Sequence, residues 1–169
     1  MKKNIVRIIT LILLLMTFAV IFNFSNQNAE KSGGLSEKVT RYIIDINPLT
    51  KDIQGQEREN IIYKLESVIR KLAHFSIYTL VGLLLMTLIS TYNLKEIDKI
   101  GISLIIGVIY ASSDEIHQAF IPGRGAQITD VMLDSLGVLL GIFIVLFIVE
   151  MIRKIRRNIY DNINIKILK

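Results

Sequence analysis

The sequence predicts an all-α protein: a polytopic bundle of about four transmembrane helices, with interfacial amphipathic helices in the first extracytoplasmic segment. Of the 169 residues, 51% are hydrophobic and the mean hydropathy is +0.49, which is more apolar surface than one soluble core can hide. Four apolar stretches are each long enough to cross a bilayer. Between the first two lies the one sizeable polar region, whose apolar residues recur at helical spacing.

The first apolar stretch covers residues 5–24 and follows Lys2, Lys3 and Arg7. At a rise of about 1.5 Å per residue, it is about long enough to cross a hydrocarbon layer of about 30 Å. A cleaved secretory signal has a similar pattern and is the alternative interpretation. Because no small-x-small cleavage motif follows, we interpret this stretch as a membrane anchor.

Two amphipathic stretches lie in the polar segment 25–71. The first follows Gly33 and Gly34, with Ser36 as its expected N-cap and Pro48 at its end. The second runs without a helix breaker into the next apolar stretch. Both are typical of helices lying on a membrane surface. Their apolar positions are Leu35, Val39, Tyr42, Ile43 and Ile46 in the first, and Ile61, Ile62, Leu65, Val68, Ile69 and Leu72 in the second.

Three further spans are predicted at residues 72–92, 100–121 and 131–152. Charged residues separate the first two of these, and a Pro-Gly turn precedes the last. A basic tail, 153–169, ends the chain. We find no internal repeat, so residues 1–169 are predicted to form a single membrane domain.

The positions of the basic residues predict topology rather than nucleic-acid binding. They flank apolar stretches instead of forming a face interleaved with aromatic residues, so we expect no nucleic-acid partner. Basic clusters adjoin the first and last spans, and an even number of spans places both termini on one face, which the positive-inside rule assigns to the cytoplasm. We therefore expect a multi-pass cell-membrane protein. Membrane lipids are expected partners, since each basic residue of the tail attracts anionic head groups by about 1 kcal/mol.

Span parity brings the unusual polar residues to one membrane face. The second span begins at the outer face, the third ends there and the fourth begins there. Spacings of three and four place these residues on shared helix faces, and ionisable groups avoid lipid, so we expect a polar pocket open to the outer leaflet. Its predicted ligand-binding residues are Arg70, Lys71, His74, Tyr78, Asp114, Glu115, His117, Gln118, Arg124, Asp130 and Asp134. The acidic groups are expected to pair with Arg70, Lys71 and Arg124.

Simpler interpretations of these residues exist. Arg70 and Lys71 also fit interfacial anchors and Tyr78 an interfacial aromatic, while Asp130 and Asp134 fit charge partners that hold helices together. The dense polar run at 114–118 is harder to explain in this way, which favours function there. The glycines in the spans are predicted to permit close helix packing: Gly82, Gly101, Gly107, Gly137 and Gly141.

Several of these motifs together resemble the VanZ-like family. They are Phe24-Ser25-Asn26-Gln27 with Ser32, Arg70-Lys71-Leu72-Ala73-His74-Phe75 with Tyr78, Ser113-Asp114-Glu115-Ile116-His117-Gln118-Ala119-Phe120-Ile121-Pro122-Gly123-Arg124, Asp130-Val131, and Gly137 with Gly141. The chain departs from the family at Ser135, where members often carry Asn, so the polar contact there is expected to differ. The resemblance implies a small multi-span membrane protein whose named members raise resistance to teicoplanin and related lipid-tailed glycopeptides. It implies no settled reaction.

Three functions fit the residues. In the first, the pocket binds a lipid-linked cell-envelope component or a lipid-tailed glycopeptide antibiotic. Arg70, Lys71 and Arg124 then contact phosphate or carboxylate, oriented by His74, Asp114, Glu115 and Gln118. In the second, the protein is purely structural and the polar cluster only holds helices together.

The third function is that of an intramembrane enzyme, which modifies a lipid-linked envelope substrate by acid-base chemistry. Its catalytic candidates are His74, Asp114, Glu115 and His117. A metal-assisted version uses His74, His117, Asp114 and Asp130 as ligands. No motif of known metal spacing is present and cysteine is absent, so we predict neither a metal nor a cofactor.

Overall fold

Five helices joined by short turns make up residues 2–27 and 29–167, the part of the chain that the computed structural model describes. They are α1 (Lys2–Ser25), α2 (Ala29–Ile46), α3 (Gly55–Ser90), α4 (Glu96–Ala119) and α5 (Ile128–Ile167). Side chains are described for residues 3–27 and 34–161, so those of Lys2, Ser32 and the end of the basic tail lie outside them. Within the described ranges there is no β-strand, which confirms the all-α prediction.

Four of the helices, α1, α3, α4 and α5, are long and apolar enough to cross a membrane. This confirms the prediction of a multi-pass membrane protein with four spans. Helix α3 has 36 residues and is therefore about 54 Å long, which exceeds the hydrocarbon layer of about 30 Å. Its first part therefore extends beyond the layer, where it meets α2.

Helix α2 folds back on the first part of α3. Arg41 forms ion pairs with Glu37 of its own helix at 2.8 Å and with Glu59 of α3 at 3.0 Å. Beneath them, Ile44 and Ile62 are buried. The carboxylates of Glu59 and Glu37 hold the proton on the Arg41 guanidinium and raise its pKa above the usual value. The two stretches thus pack through Ile44 and Ile62, whereas the apolar positions predicted for the first stretch remain exposed, Tyr42 and Ile46 among them.

The beginning of α2 differs from the prediction. Ser36, expected as the N-cap, lies inside the helix, because α2 begins at Ala29. Its backbone carbonyl accepts a hydrogen bond from the Thr40 hydroxyl at 2.7 Å, and both residues are buried. Gly34 is likewise helical. The helix therefore begins about two turns before the point at which the glycines predict its start.

Glycines allow α3 and α5 to pack side by side as parallel helices. A Cβ on Gly82, Gly137 or Gly141 would lie within 3.0 Å of backbone atoms of the facing helix, so the packing prediction is confirmed for these three. A Cβ on Gly107 would collide with the Val138 side chain. For Gly101 the prediction is wrong, because no neighbouring atom of the described part of the chain would come within 4 Å of its Cβ.

The core lies along this contact, and the outer surface of the bundle is apolar. Tyr78, Val81 and Leu85 of α3 are buried against Val138 and Ile142 of α5. Large apolar side chains elsewhere are exposed, including Ile105, Ile109, Phe143 and Phe147. An exposed apolar surface is the arrangement expected for helices surrounded by lipid.

Helix α1 is held by hydrogen bonds to the end of α3 and to α4. At one end, Arg7 donates hydrogen bonds to the hydroxyl and carbonyl oxygens of Thr91 at 2.8 and 2.9 Å, and its guanidinium lies 4.1 Å from the centre of the Tyr92 ring. Further along, the Tyr110 hydroxyl donates to the Phe18 carbonyl oxygen at 2.8 Å. The C-terminal end of α1 is thereby placed beside the C-terminal end of α4 and the middle of α3.

Candidate ligand-binding site at one end of the bundle

Polar side chains of α3 and α5 meet near the turn that precedes α5. The Nζ atom of Lys71 lies 3.2 Å from Oδ1 of Asp130. One turn deeper, Nδ1 of His74 lies 3.7 Å from Oδ2 of Asp134. Because α3 and α5 run parallel, positions three apart on α3 face positions four apart on α5. The structure thus brings these four predicted residues together.

The end of α4 joins this group through α1. The amide of Gln118 donates hydrogen bonds to Oδ2 of Asp114 at 3.0 Å and to Oγ of Ser25 at 3.3 Å. Ser25, Asp114 and Gln118 are all buried. Arg124 donates to the backbone carbonyl oxygen of Ser25 at 3.2 Å, which satisfies a carbonyl left open at the end of α1. The predicted convergence therefore includes α1 as a fourth element.

Ser25 and Glu66 are members of this end of the bundle that the pocket prediction omitted. Arg70 pairs with Oε1 of Glu66 at 2.7 Å, and not with a carboxylate of α4 or α5 as expected. The physical reason is proximity, since Glu66 lies one turn away on the same helix. The spacing of Glu66 and Arg70 could have revealed this pair from the sequence.

Two predicted residues have their contacts elsewhere. Glu115 accepts a hydrogen bond from the backbone N–H of Gln127 at 2.6 Å, so it anchors the turn between α4 and α5. The ring of His117 stacks on Phe22 of α1, with centroids 4.8 Å apart and an interplanar angle of 11°. Neither residue lines the cavities described below.

Tyr78, predicted to line the pocket, and Ser135, which departs from the family pattern, both make their contacts within the bundle. Tyr78 is fully buried, with its ring centroid 6.3 Å from that of Tyr110, so it is a core residue rather than an interfacial one. The Ser135 hydroxyl donates to the Val131 carbonyl oxygen of its own helix at 2.6 Å. The only hydroxyl hydrogen of Ser135 is therefore used in a bond within α5.

A polar cavity of about 180 Å³ lies between α3, α5 and the turn. Its wall includes the Lys71–Asp130 and His74–Asp134 pairs together with Gln118. Asp134 is 2% exposed, and its Oδ1 atom has no hydrogen-bond partner among the described residues. The cavity thus has an unused buried acceptor in its wall.

An apolar cavity of about 290 Å³ lies on the other side of Arg70, His74 and Arg124, between α1, α2 and α3. These three residues line both cavities. Burial, together with the nearby positive charge of Arg70, lowers the pKa of Arg124. Two guanidinium groups therefore line the boundary between a polar and an apolar space.

No metal-binding geometry is found at this site. Among residues with described side chains, no three or more His, Asp or Glu side chains are placed to hold an ion. His74 and His117 in particular contact different helices, α5 and α1.

These features define a four-span membrane protein with a partly buried polar cavity at one end of its bundle. Residues 9–149 match the model of the VanZ/LLP1 family, and this range contains every predicted site residue. The chain therefore belongs to the VanZ/LLP1 family, as its motifs predicted. No curated protein and no solved structure matches it.

Proposed function

We propose that the protein binds the charged head group of a lipid-linked cell-envelope component, or of a lipid-tailed glycopeptide antibiotic, in the polar cavity. The observation that carries this proposal is the placement of Arg70 and Arg124 where the polar and apolar cavities meet. Guanidinium groups form paired hydrogen bonds with phosphate and carboxylate. An anionic head group of an amphiphile is the ligand that such a boundary suits.

An unused donor supports an anionic ligand. The Nε atom of Arg70 is buried and has no hydrogen-bond partner among the described residues. The charge of Arg70 is paired with Glu66, but leaving a buried N–H donor without an acceptor is unfavourable by about 1–3 kcal/mol. A phosphate or carboxylate oxygen at this position would supply the missing acceptor.

The same proposal includes an orientation. With four spans, both termini lie on one side of the membrane, and basic residues adjoin that end of α5 at Arg153, Lys154, Arg156 and Arg157. The positive-inside rule makes this the cytoplasmic side. The cavity then opens at the outer membrane-water interface, where envelope precursors and glycopeptides are encountered. By analogy with the resistance-associated members of the family, we propose that the protein lowers susceptibility to teicoplanin.

The test is a charge reversal at the boundary. We expect Arg124→Glu to abolish the change in teicoplanin susceptibility that the wild-type protein confers on a sensitive host, because a carboxylate repels the anionic head group. Arg153→Glu is the matched control, since Arg153 is exposed at the opposite end and pairs only weakly with Glu150 at 3.3 Å. Membrane abundance is measured by immunoblot for every variant.

Arg124→Lys guards against a folding artefact, because it keeps the charge while losing the paired hydrogen bonds. We expect it to retain part of the wild-type effect. An Arg124→Glu protein that accumulates normally and still changes susceptibility would overturn the antibiotic proposal. Titration of purified protein with an undecaprenyl-linked precursor tests the envelope alternative in the same variants.

A second candidate function is suggested by the His74–Asp134 pair. A carboxylate beside an imidazole orients it for proton transfer, and His74 lines both cavities. The separation of 3.7 Å is longer than a hydrogen bond, and such contacts often tighten only when a substrate binds. An intramembrane acid-base enzyme acting on a lipid-linked substrate is therefore the alternative.

Turnover distinguishes the two functions. Purified protein is incubated with undecaprenyl-linked substrates, and products are analysed by mass spectrometry. Loss of turnover in His74→Gln with binding retained would support an enzyme. Binding without turnover by the wild-type protein would support the first proposal.

A further inference from the structure

The polar and apolar cavities share one wall. Arg70, His74 and Arg124 line both of them, so a ligand in the polar cavity lies directly against the apolar one. Individually, each cavity is small for a ligand site. Together their volumes fall in the range of about 300–1,000 Å³ that ligand pockets usually have. The two spaces are therefore best considered as parts of one site.

The apolar cavity has the composition of a hydrocarbon-binding groove. Apolar side chains from three helices make up most of its wall, namely Ile21, Phe24, Leu35, Val39, Ile69 and Ile77. Its polar lining is confined to the wall shared with the polar cavity and to two serines at positions 25 and 36. Helices α1 and α3 are both spans, so the groove lies at the end of the lipid-embedded part of the bundle.

Charge at the shared wall determines what else the ligand must carry. Burial lowers the pKa of Arg124, and the like charge of Arg70 lowers it further. Among the residues with described side chains, none supplies an acceptor to the buried Nε of Arg70 or a donor to the buried Oδ1 of Asp134. An anion at the shared wall would accept a hydrogen bond from the Nε of Arg70. A hydroxyl or amine deeper in the polar cavity would donate one to the Oδ1 of Asp134.

We infer that the site holds a phosphate-bearing membrane lipid, with its hydrocarbon chain between α1, α2 and α3 and its phosphate at Arg70 and Arg124. This inference rests on the proposed function and specifies its ligand class. Helix α2 is then one wall of the chain-binding groove, which gives the amphipathic segment a direct part in binding. The polar cavity receives the substituent on the phosphate.

The test uses the full-length protein in phosphatidylcholine vesicles that contain a minor fraction of phosphatidic acid with a photoreactive acyl chain. After illumination, adducts are mapped by mass spectrometry. We expect adducts at Val39, Ile69 and Ile77 to be enriched over those from a matched phosphatidylcholine probe. Unlabelled phosphatidic acid should compete, whereas glycerol phosphate and inorganic phosphate at equal concentration should not. Equal competition by either free phosphate would overturn the inference, because the chain would contribute nothing.

Two tryptophan variants provide the matched comparison. Ala73 lines the groove, so we expect Ala73→Trp to fill it and reduce the adducts about tenfold. Leu72 is 57% exposed and does not line the groove, so Leu72→Trp should leave them unchanged. Arg70→Gln should also reduce them. Adducts that persist in both Ala73→Trp and Arg70→Gln would overturn the inference.

Failure here and failure of the proposed function are distinguishable. If groove adducts are absent while Arg124→Glu still abolishes the change in susceptibility or precursor binding, the chain lies elsewhere and the proposed function stands. If Arg124→Glu has no effect on either, the proposed function fails and the inference fails with it.

Discussion

Lys71 of α3 and Asp130 of α5 form an ion pair of 3.2 Å at the mouth of the polar cavity, where 47% and 31% of their side chains remain exposed. One turn deeper, His74 faces Asp134, whose side chain is only 3% exposed. Exposure thus falls sharply along a single helix-helix contact. The outer pair is screened by water, whereas the inner one is held where electrostatic interactions are stronger.

The outer pair is expected to contribute little to stability. Double-mutant cycles of exposed pairs give about 0.2–1 kcal/mol, so we predict a coupling of that size between Lys71→Gln and Asp130→Asn. The measurement is thermal unfolding of the purified protein in detergent. A coupling well above this range would mean that the pair is shielded from water, contrary to the exposure described here.

The close contact of α3 with α5 predicts a severe effect of one methyl group. In Gly141→Ala the new Cβ would meet the Thr79 carbonyl oxygen and the Leu83 nitrogen, and overpacking of this kind costs about 1–3 kcal/mol or more. Gly101→Ala is the matched control, because its Cβ would meet no atom of the described residues within 4 Å. It should be neutral or stabilising by up to about 1 kcal/mol through helix propensity. Melting temperatures in detergent test both, and equal values would contradict the parallel α3–α5 packing.

The sequence predicted where the polar residues gather but not how they pair. Span parity and the preference of charges for a bundle interior were enough to bring residues of α3, α4 and α5 to one end. Pairing depends on helix rotation, which a sequence does not reveal. Asp114 and Gln118, four apart, share a buried face, whereas His117, three after Asp114, is turned towards Phe22.

The helix boundaries show a similar limit. Helix α3 continues from its polar first part into the span, as the lack of a breaker predicted. The predicted start of α2 was wrong. Two glycines and a serine suggested a helix boundary, but Ser36 is buried inside a helix that begins at Ala29. Local propensity is weak and packing overrides it.

Arg7 is expected to have a structural role in addition to its effect on topology. It was interpreted from sequence only as a basic residue flanking the first span, but it binds Thr91 and lies over the Tyr92 ring. Arg7→Lys keeps the charge and loses the forked hydrogen bonds, so we predict unchanged orientation and a loss of about 1–2 kcal/mol of stability. A topology reporter fused to the C-terminus and thermal unfolding measure these separately. Unchanged stability would show that the contact with Thr91 contributes nothing.

Glu115 and His117 provide the sharpest separation of structural from ligand-binding roles. The Glu115 carboxylate holds the Gln127 backbone N–H at 2.6 Å, and a hydrogen bond to a charged group is worth about 1.5–3 kcal/mol. His117 packs on Phe22 and lines neither cavity. We therefore predict that Glu115→Ala and His117→Ala lower the amount of protein in the membrane, while the protein that remains keeps its specific activity. Arg70→Gln should instead leave the abundance unchanged and lower the specific activity, because Arg70 lines both cavities and its Nε has no hydrogen-bond partner among the described residues. Membrane abundance by immunoblot, measured beside teicoplanin susceptibility and precursor binding, tests this division. If His117→Ala had full abundance and lost its activity, His117 would belong to the binding site, contrary to this prediction.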